Sequence, residues 1–289
     1  MTDIALATCS SLPDLDEDER LLIPALAARG VHAEPRIWDD ASVDWGGFRA
    51  VVVRSTWDYA DRRDAFLAWG ARPRQLMNDI AVIRWNTNKR YLRELAAAGI
   101  PVVPTTWIDP ETAREAALLP LGPVVVKPSI SAGARDTSRY GSGELARAHV
   151  DRLLAEGRTV MVQPYIPSVD SAGETGLIYI DGIFSHSIRK GPVLHAPGVA
   201  TEDLWAPEDI SSRDPDEAER AVADATLDRL PWPREELVYA RVDIVRGGDD
   251  APMLLELELA EPSLFLQFGA GAADRLATAI TRRLRLEHA

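Results

Sequence analysis

Lysine is rare in this sequence, and its few lysines are the first candidates for chemistry. Lysine and arginine together number 32, yet lysine occurs only at positions 89, 127 and 190. An ammonium group is a compact charge with rotatable donors, whereas a guanidinium is a planar fork, so one does not replace the other. We therefore expect Lys89, Lys127 and Lys190 to bind or activate a ligand in ways that arginine would do badly.

Lys127 stands between an apolar run and a loop of small residues. Val124-Val125-Val126 predict a buried strand, and Ser129-Ile130-Ser131-Ala132-Gly133-Ala134 follow Pro128. The backbone N–H groups of such a loop can surround a phosphate group, with the lysine at its edge. A surface lysine beside an ordinary loop is the alternative, and this segment alone does not separate the two interpretations.

Acidic residues alternate with leucines near the end of the chain. Glu256 and Glu258 are two apart in a predicted strand and therefore share one of its faces, and Asp243 lies in the strand before. Three carboxylates placed this way suit a hard cation such as Mg²⁺. The alternative is the solvated face of an antiparallel strand, although close like charges repel one another without a cation.

The elements that must position these residues predict an α/β protein. Buried strands at residues 4–8 and 50–53 with a helical stretch between them indicate a parallel sheet. Proline at position 24 predicts a kink or a later helix start. The remaining predictions are helices at 86–98, 111–118, 142–156, 215–229 and 271–286, strands at 124–127, 159–163, 237–246 and 252–260, a hairpin over 174–190 turning at Asp181-Gly182, and loops at 129–141 and 191–214, the latter with His195 and Trp205.

Composition and charge exclude several classes of protein. A net charge of −13 argues against nucleic acid or an anionic membrane as a partner. No apolar stretch approaches twenty residues, and the N-terminus has no basic region followed by an apolar segment, so neither a membrane span nor a secretory signal is expected. One cysteine, Cys9, excludes an intramolecular disulfide. The expected location is the cytoplasm.

The order of these motifs resembles the ATP-grasp superfamily over residues 1–285. Asn88-Lys89, residues 98–105, Val126-Lys127-Pro128, residues 162–166, Arg241-Val242-Asp243 and residues 255–258 match in sequence order. The resemblance implies the ATP-grasp architecture of α+β subdomains behind an N-terminal Rossmann-like domain. It divides the chain into that N-terminal domain at 1–85, a central lid subdomain at 86–165 and a C-terminal subdomain with the metal site at 166–289.

The same resemblance implies roles for individual residues. ATP would lie between the two subdomains, and Mg²⁺, or Mn²⁺ in its place, would be held by Asp243, Glu256 and Glu258. Glu258 stands where the family usually has asparagine, and Gln163 stands where glutamate is common. Arg241 would stabilise the transferring phosphoryl group, and Lys190 would reach the γ-phosphate or only the loop beside it. The implied ATP contacts are Lys89 and Lys127 to phosphates, Ser129, Ser131 and Gly133 in the covering loop, Gln163, Tyr165 and Ile166 at adenine, and Asp170 or Glu174 at ribose.

Within the superfamily the chain resembles the cyclo-ligases that make D-cycloserine from O-ureido-D-serine. Residues 16–18, 54–59, 184–186, 190–192 and 261–265 carry this likeness. It implies an amino-acid-like carboxylate as substrate, activated as an acyl phosphate before a C–N bond forms. Residues at the end of a parallel strand would receive it, since α/β sheets bind ligands there: Arg54, Ser55, Thr56, Trp57 and Tyr59. Packing is an equal explanation for Trp57 and Tyr59.

Two other functions fit the same motifs. One is an intermolecular ligase that joins a carboxylate to a separate amine or amino acid. The other is a nucleotide-binding regulator without turnover, which the complete set of lysines, arginine and acids disfavours. ATP-grasp proteins are frequently dimers, so a homodimer is one option for the assembly.

Overall fold

The described residues form three sheets, each from one stretch of the sequence. A computed structural model describes residues 2–111, 119–194 and 209–286. The first sheet contains β1 Ile4–Thr8, β2 Ala33–Ile37, β3 Ala50–Val53 and β4 Leu76–Met77. The second contains β5 Thr106–Ile108, β6 Val124–Pro128, β7 Ser138–Tyr140 and β8 Val160–Pro164. The third contains β9 Glu174–Ile180, β10 Ile183–Lys190, β11 Ile210–Ser212, β12 Tyr239–Arg246 and β13 Pro252–Glu258.

The first sheet is parallel throughout, as the sequence predicts. Its strand order is β2-β1-β3-β4, and β1 and β3 are buried along their whole length. Fully apolar strands of this kind are typical of a parallel sheet that is covered on both faces. Strand β2 has no such signal, because its residues 33–37 include charged side chains and a proline and are only half-buried.

The second and third sheets are antiparallel, with orders β5-β8-β6-β7 and β11-β10-β9-β12-β13. The predicted hairpin is confirmed. Asp181 and Gly182, with φ of 59° and 74°, join β9 to β10, and positive φ at both positions is what the type I′ turn of a two-residue hairpin requires. The predicted loop at 129–141 is wrong at its end, where residues 138–140 pair with β6 as β7.

Eight α-helices connect the sheets: α1 Leu22–Ala27, α2 Arg63–Trp69, α3 Ile80–Asn86, α4 Tyr91–Ala97, α5 Gly143–Ala155, α6 Ser168–Ala172, α7 Glu217–Asp228 and α8 Ala272–Leu286, counted over the described ranges. Pro24 falls in the first turn of α1, where its missing N–H costs no hydrogen bond. Ser142 caps α5 and Asp216 caps α7 through a capping box, at or next to the predicted starts. The predicted helix at 111–118 and the residues His195 and Trp205 lie mostly or wholly outside the described parts.

The predicted helix at 86–98 is wrong in its start. The segment contains the end of α3 and all of α4, and Lys89 lies in the break between them. The backbone N–H of Lys89 donates to the carbonyl oxygen of Ser129 at 2.8 Å instead of to a helical carbonyl. This bond ties the break to the loop that follows β6, so that Lys89 and Lys127 are held near the same loop.

Strand β13 is an edge strand of its sheet. Side chains and an isolated β-bridge from Val102 to Leu254 cover its free side. Asn86 accepts hydrogen bonds from the backbone N–H of Leu259 and Ala260 and donates to Leu257 at 2.8 Å. The Tyr91 hydroxyl also bonds both backbone groups of Leu257. Because edge strands otherwise present unpaired backbone groups, these contacts fix the strand that carries Glu256 and Glu258.

The first and third sheets share one hydrophobic core, which includes α1 and α8. Two buried residues join the sheets by hydrogen bonds. Asn78 donates to the carbonyl oxygens of Tyr239 and Leu259, and accepts from Val238 N–H at 2.7 Å. The Tyr239 hydroxyl lies 3.0–3.1 Å from the carbonyl oxygens of Val53, Met77 and Ala260. Among the described helices, none has the length and apolar character needed to span a membrane.

We predict that Asn78→Ala lowers the free energy of unfolding by about 2–3 kcal/mol. The change leaves the buried N–H of Val238 and two carbonyl oxygens without their side-chain partner, and an unsatisfied buried polar group is costly. Urea unfolding followed by far-UV circular dichroism measures this difference. A loss below about 0.5 kcal/mol would show that water or a neighbour replaces these bonds.

Candidate active site

A cavity of about 470 Å³ lies where the three sheets meet. Its walls come from β6 and the loop after it, the segment after β8, strands β12 and β13, and the short 3-10 helix Trp57–Arg62 that follows β3. The parts of the chain that the sequence predicts to hold ATP, metal and substrate therefore face one space. Predicted site residues that line it are Trp57, Tyr59, Lys89, Lys127, Ser131, Gly133, Gln163, Tyr165, Ile166, Glu174, Lys190, Arg241, Asp243, Glu256 and Glu258.

All three lysines of the sequence line this cavity. Lys89 Nζ lies 3.0 Å from Glu256 Oε1 and donates to the carbonyl oxygen of Ser131 at 2.8 Å. Lys190 Nζ lies 3.9 Å from both Glu174 Oε2 and Asp243 Oδ2. Each of these ammonium groups therefore lies beside a carboxylate of the third sheet.

Lys127 differs from the other two lysines in its surroundings. It is buried, and burial lowers the pKa of its ammonium group, which the charges of Glu256 and Glu174 partly offset. A buried ammonium is costly unless an anion approaches it. The position of Lys127 at the end of β6, next to the loop containing Ser131 and Gly133, suits a phosphate group as that anion.

Arg241 connects two of the three predicted metal ligands. Its guanidinium donates to Asp243 at 2.9 and 3.0 Å, forms a short ion pair with Glu258, and donates to the carbonyl oxygen of Ser263 at 2.9 Å. Arg241 and Glu258 are register partners across β12 and β13, as are Asp243 and Glu256. One cross-strand pair thus joins a base to an acid and the other joins two acids, and both pairs lie on one wall of the cavity.

The carboxylates influence each other through their charges. Burial raises the pKa of Glu258 to about 7 against the opposing effect of Arg241, and the charges of Asp243 and Glu256 add to the rise. Burial would also raise the pKa of Glu256, but Lys89 and Lys127 outweigh it and lower that pKa to about 2. Glu258 thus resists ionisation beside the other two acids, and an additional cation would stabilise its charged form.

In the described residues, no three acidic, histidine or cysteine side chains surround one point in the way that metal ligands do. The carboxylates of Asp243, Glu256 and Glu258 turn toward Arg241 and Lys89, because those cations are the nearest partners for buried negative charge. Their backbone positions nevertheless share one cavity wall, and oxygen ligands of this type fit a hard divalent cation.

The end of β8 and the residues that follow it also line the cavity. Gln163 is buried, and its side-chain amide donates to Thr105 Oγ1 at 3.0 Å. Tyr165 and Ile166 also face the cavity. Of the two acids predicted for ribose, Glu174 lines the cavity, whereas Asp170 lies outside its lining, where it pairs with Arg139 and accepts a short hydrogen bond from the Tyr165 hydroxyl.

The residues predicted for substrate binding fall into two groups. Trp57 and Tyr59 line the cavity, but Arg54, Ser55 and Thr56 are buried outside its lining. Arg54 Nε lies 2.6 Å from Glu19 Oε2, and the guanidinium stacks over Tyr239 at 4.6 Å. Because parallel strands end in a packed interface here, the first residues after β3 are used to join the sheets.

We predict that Arg54→Ala lowers the free energy of unfolding by about 3–5 kcal/mol, because Glu19 would remain buried without its partner. The double variant Glu19→Gln, Arg54→Met removes both charges, and we expect it to recover part of that loss and to keep the KM values of the parent protein. Urea unfolding and steady-state kinetics measure the two effects. A large rise in substrate KM in the folded double variant would contradict this structural role.

The cavity has lining residues to which the sequence interpretation gives no individual role. They include Asp16, Asn86, Glu261, Ser263 and Phe265. Asn86 comes two residues before Asn88-Lys89, and the other four belong to segments that carry the family likeness. No spacing pattern within these segments indicates which side chain faces a ligand, so only the folded arrangement of the sheets identifies them.

Comparison with known proteins agrees with this arrangement. The family model for the N-terminal domain of D-cycloserine synthetase DcsG matches residues 4–78. The cycloserine biosynthesis protein DcsG of Streptomyces lavendulae is 42% identical over 303 residues, covering 98% of this chain and 99% of that protein. The crystal structure of D-cycloserine synthetase DcsG is similar with a TM-score of 0.84 at 41% identity, covering 97% of this chain and 99% of that one.

A more distant solved structure shows the wider fold. The RimK domain ATP-grasp protein of Sphaerobacter thermophilus is similar with a TM-score of 0.64 at 24% identity, covering 96% of this chain and 98% of that one. The α/β fold class and the ATP-grasp likeness predicted from the sequence are therefore confirmed. The chain belongs to the D-cycloserine synthetase family of ATP-grasp ligases.

Proposed function

We propose that this ligase closes the ring of D-cycloserine from O-ureido-D-serine, at the expense of ATP, in the cavity between the three sheets. The observation that carries the proposal is the convergence of all three lysines, Arg241 and three carboxylates on that one cavity. Lys89 and Lys127 would bind the α- and β-phosphates, and Lys190 would lie toward the γ-phosphate. The loop containing Ser129, Ser131 and Gly133 would cover the triphosphate.

The nucleoside would occupy the part of the cavity between the second and third sheets. Gln163, Tyr165 and Ile166 line that part and would contact adenine. Glu174 would accept hydrogen bonds from the ribose hydroxyls, in preference to Asp170, whose carboxylate is engaged by Arg139 and Tyr165 outside the cavity. On this assignment residues 1–85 would help to bind the amino-acid substrate. Residues 86–165 would cover the nucleotide, and residues 166–289 would hold the metal and the reacting phosphate.

Asp243, Glu256 and Glu258 would hold Mg²⁺ after exchanging their contacts with Arg241 and Lys89 for the cation. A cation held there would supply positive charge that offsets the negative charge of the transferring phosphoryl group. Arg241 would then place its guanidinium beside that group, where a fixed positive charge lowers the barrier by electrostatic stabilisation. The chain's own contribution is to position the reactants and to compensate charge.

The proposed reaction has two chemical steps. The substrate carboxylate attacks the γ-phosphorus, which gives an acyl phosphate and ADP. The ureido nitrogen bonded to the side-chain oxygen then attacks the acyl carbon, a C–N bond forms, the nitrogen loses its proton and inorganic phosphate leaves. Hydrolysis of the carbamoyl group consumes one water and gives carbon dioxide and ammonia, which leaves the five-membered ring of D-cycloserine.

Release of ADP with O-ureido-D-serine as the only organic substrate besides ATP tests this proposal. We expect one ADP and one D-cycloserine for each O-ureido-D-serine consumed, without a requirement for any added amine. A strict dependence on a second amine or amino acid would reject ring closure and assign the chain to intermolecular ligation. Binding of ATP without ADP release from any carboxylate would instead indicate a regulator.

A further inference from the structure

We propose that Glu261 binds the α-amino group of the amino-acid substrate, an inference that rests on the function proposed above. Glu261 comes three residues after Glu258, at the end of β13, and lines the same cavity although it is only 9% exposed. In an α-amino acid the amino nitrogen is two bonds from the carboxylate carbon, so a carboxylate near Arg241 and the γ-phosphate places the α-amino group close by. The end of β13 supplies an acid near that place.

The surroundings of Glu261 hold it rigidly. The Tyr59 hydroxyl hydrogen-bonds its carboxyl group, and Trp57 Nε1 donates to its backbone carbonyl at 3.1 Å. On either side, Ala260 N–H donates to Asn86 at 3.2 Å, and the carbonyl oxygen of Pro262 accepts from Arg54. A recognition group fixed by its neighbours in this way loses little freedom when it binds a ligand.

The charge balance around Glu261 differs from that of the three acids predicted to hold the metal. Asp243, Glu256 and Glu258 each have an ion pair with lysine or arginine. For Glu261, no lysine, arginine or histidine within the described ranges forms an ion pair, and a neutral tyrosine is its hydrogen-bond partner. A buried carboxyl group without a cation is costly to ionise, so a ligand ammonium is its natural complement.

Burial supports the same interpretation. Burial raises the pKa of Glu261 to about 8, and the negative charge of Glu258 adds to this effect, whereas the Tyr59 hydrogen bond and Lys89 oppose it. The carboxyl group therefore takes up a full negative charge most readily when a cation lies against it. Because it is largely neutral before that, Glu261→Gln is a change that the folded protein should tolerate.

The test compares O-ureido-D-serine with the same compound lacking its α-amino group, 3-(carbamoylaminooxy)propanoate. In the parent protein we expect kcat/KM for the amino compound to exceed that for the des-amino compound by about 30-fold or more, as for a buried charge-assisted contact. In Glu261→Gln this ratio should fall below about 5, mainly through a higher KM for the amino compound, with KM for ATP unchanged.

Several variants keep the test decisive. Tyr59→Phe removes the hydrogen bond to the Glu261 carboxyl group and should lower the ratio by a smaller factor. This variant replaces Glu261→Gln in the test if Glu261→Gln does not fold. Glu144→Gln, which changes an exposed acid on α5, should leave the ratio at the parent value.

An unchanged ratio in Glu261→Gln, or a loss of the ratio in Asp16→Asn alone, overturns the inference while the proposed function stands. Failure of the parent protein to release ADP with either compound rejects the proposed function itself.

Discussion

Replacing Lys127 by methionine is expected to lower kcat/KM for ATP by about 10²–10³ and to leave the protein at least as stable as before. The ammonium group is buried beside the loop that contains Ser131 and Gly133, and burial lowers its pKa. If Lys127 binds the α- and β-phosphates as proposed, its loss removes a fixed counter-charge from them. In the absence of ATP, the uncharged methionine side chain replaces a buried cation, and keeping an ammonium group away from water is costly.

Coupled ADP-release assays and a thermal melt measure these two effects separately. Lys127→Arg keeps the charge in a planar fork of different shape, so we expect an intermediate activity. Arg147→Met removes one positive charge from the exposed face of α5 and should keep activity within about twofold of the parent. Parent-like ATP turnover in Lys127→Met would show that this lysine does not bind the phosphates.

Replacing Arg241 by methionine is expected to reduce kcat by about 10²–10³. Unlike the replacement of Lys127, it is also expected to destabilise the protein. Arg241 compensates Asp243 and Glu258, both of which face the cavity. On the proposed assignment its loss removes a fixed positive charge from the transferring phosphoryl group, and it also takes the guanidinium away from two carboxylates. Breaking a buried pair in this way costs about 3–5 kcal/mol of stability.

The same variant tests the metal assignment without relying on turnover. If Mg²⁺ binds Asp243 and Glu258, it takes the place of the missing guanidinium. We therefore expect added Mg²⁺ to raise the melting temperature of Arg241→Met more than that of the parent protein. Equal shifts in the two proteins, measured by differential scanning fluorimetry, would place the cation elsewhere.

The sequence predicted the residues that carry charge better than the way in which they meet. Scarcity singles out Lys89, Lys127 and Lys190, and the alternation of acids with leucines singles out Glu256 and Glu258; all five line one cavity. Patterns of this kind depend on residue type and on the two-residue period of a strand. They hold within one element and are therefore readable without a fold.

Contacts between elements were the part that sequence patterns could not supply. Arg54 was predicted to bind substrate, but the strand that it follows ends in the interface between two sheets, where Arg54 forms an ion pair with Glu19. Lys89 was placed at a helix start, yet it lies in a break that is held by Ser129. Glu261 had no assigned role, because its place beside Tyr59 depends on how residues about 200 positions apart pack together.

Transfer of oxygen from the substrate carboxylate to phosphate tests the central claim most directly. O-ureido-D-serine labelled with ¹⁸O in both carboxylate oxygens is converted with unlabelled ATP, and the released inorganic phosphate is analysed by mass spectrometry. Formation of an acyl phosphate predicts one ¹⁸O atom in each phosphate, since the carboxylate oxygen that attacked phosphorus leaves with it. Phosphate without ¹⁸O, with D-cycloserine formed at the same rate, would contradict carboxylate phosphorylation by this chain.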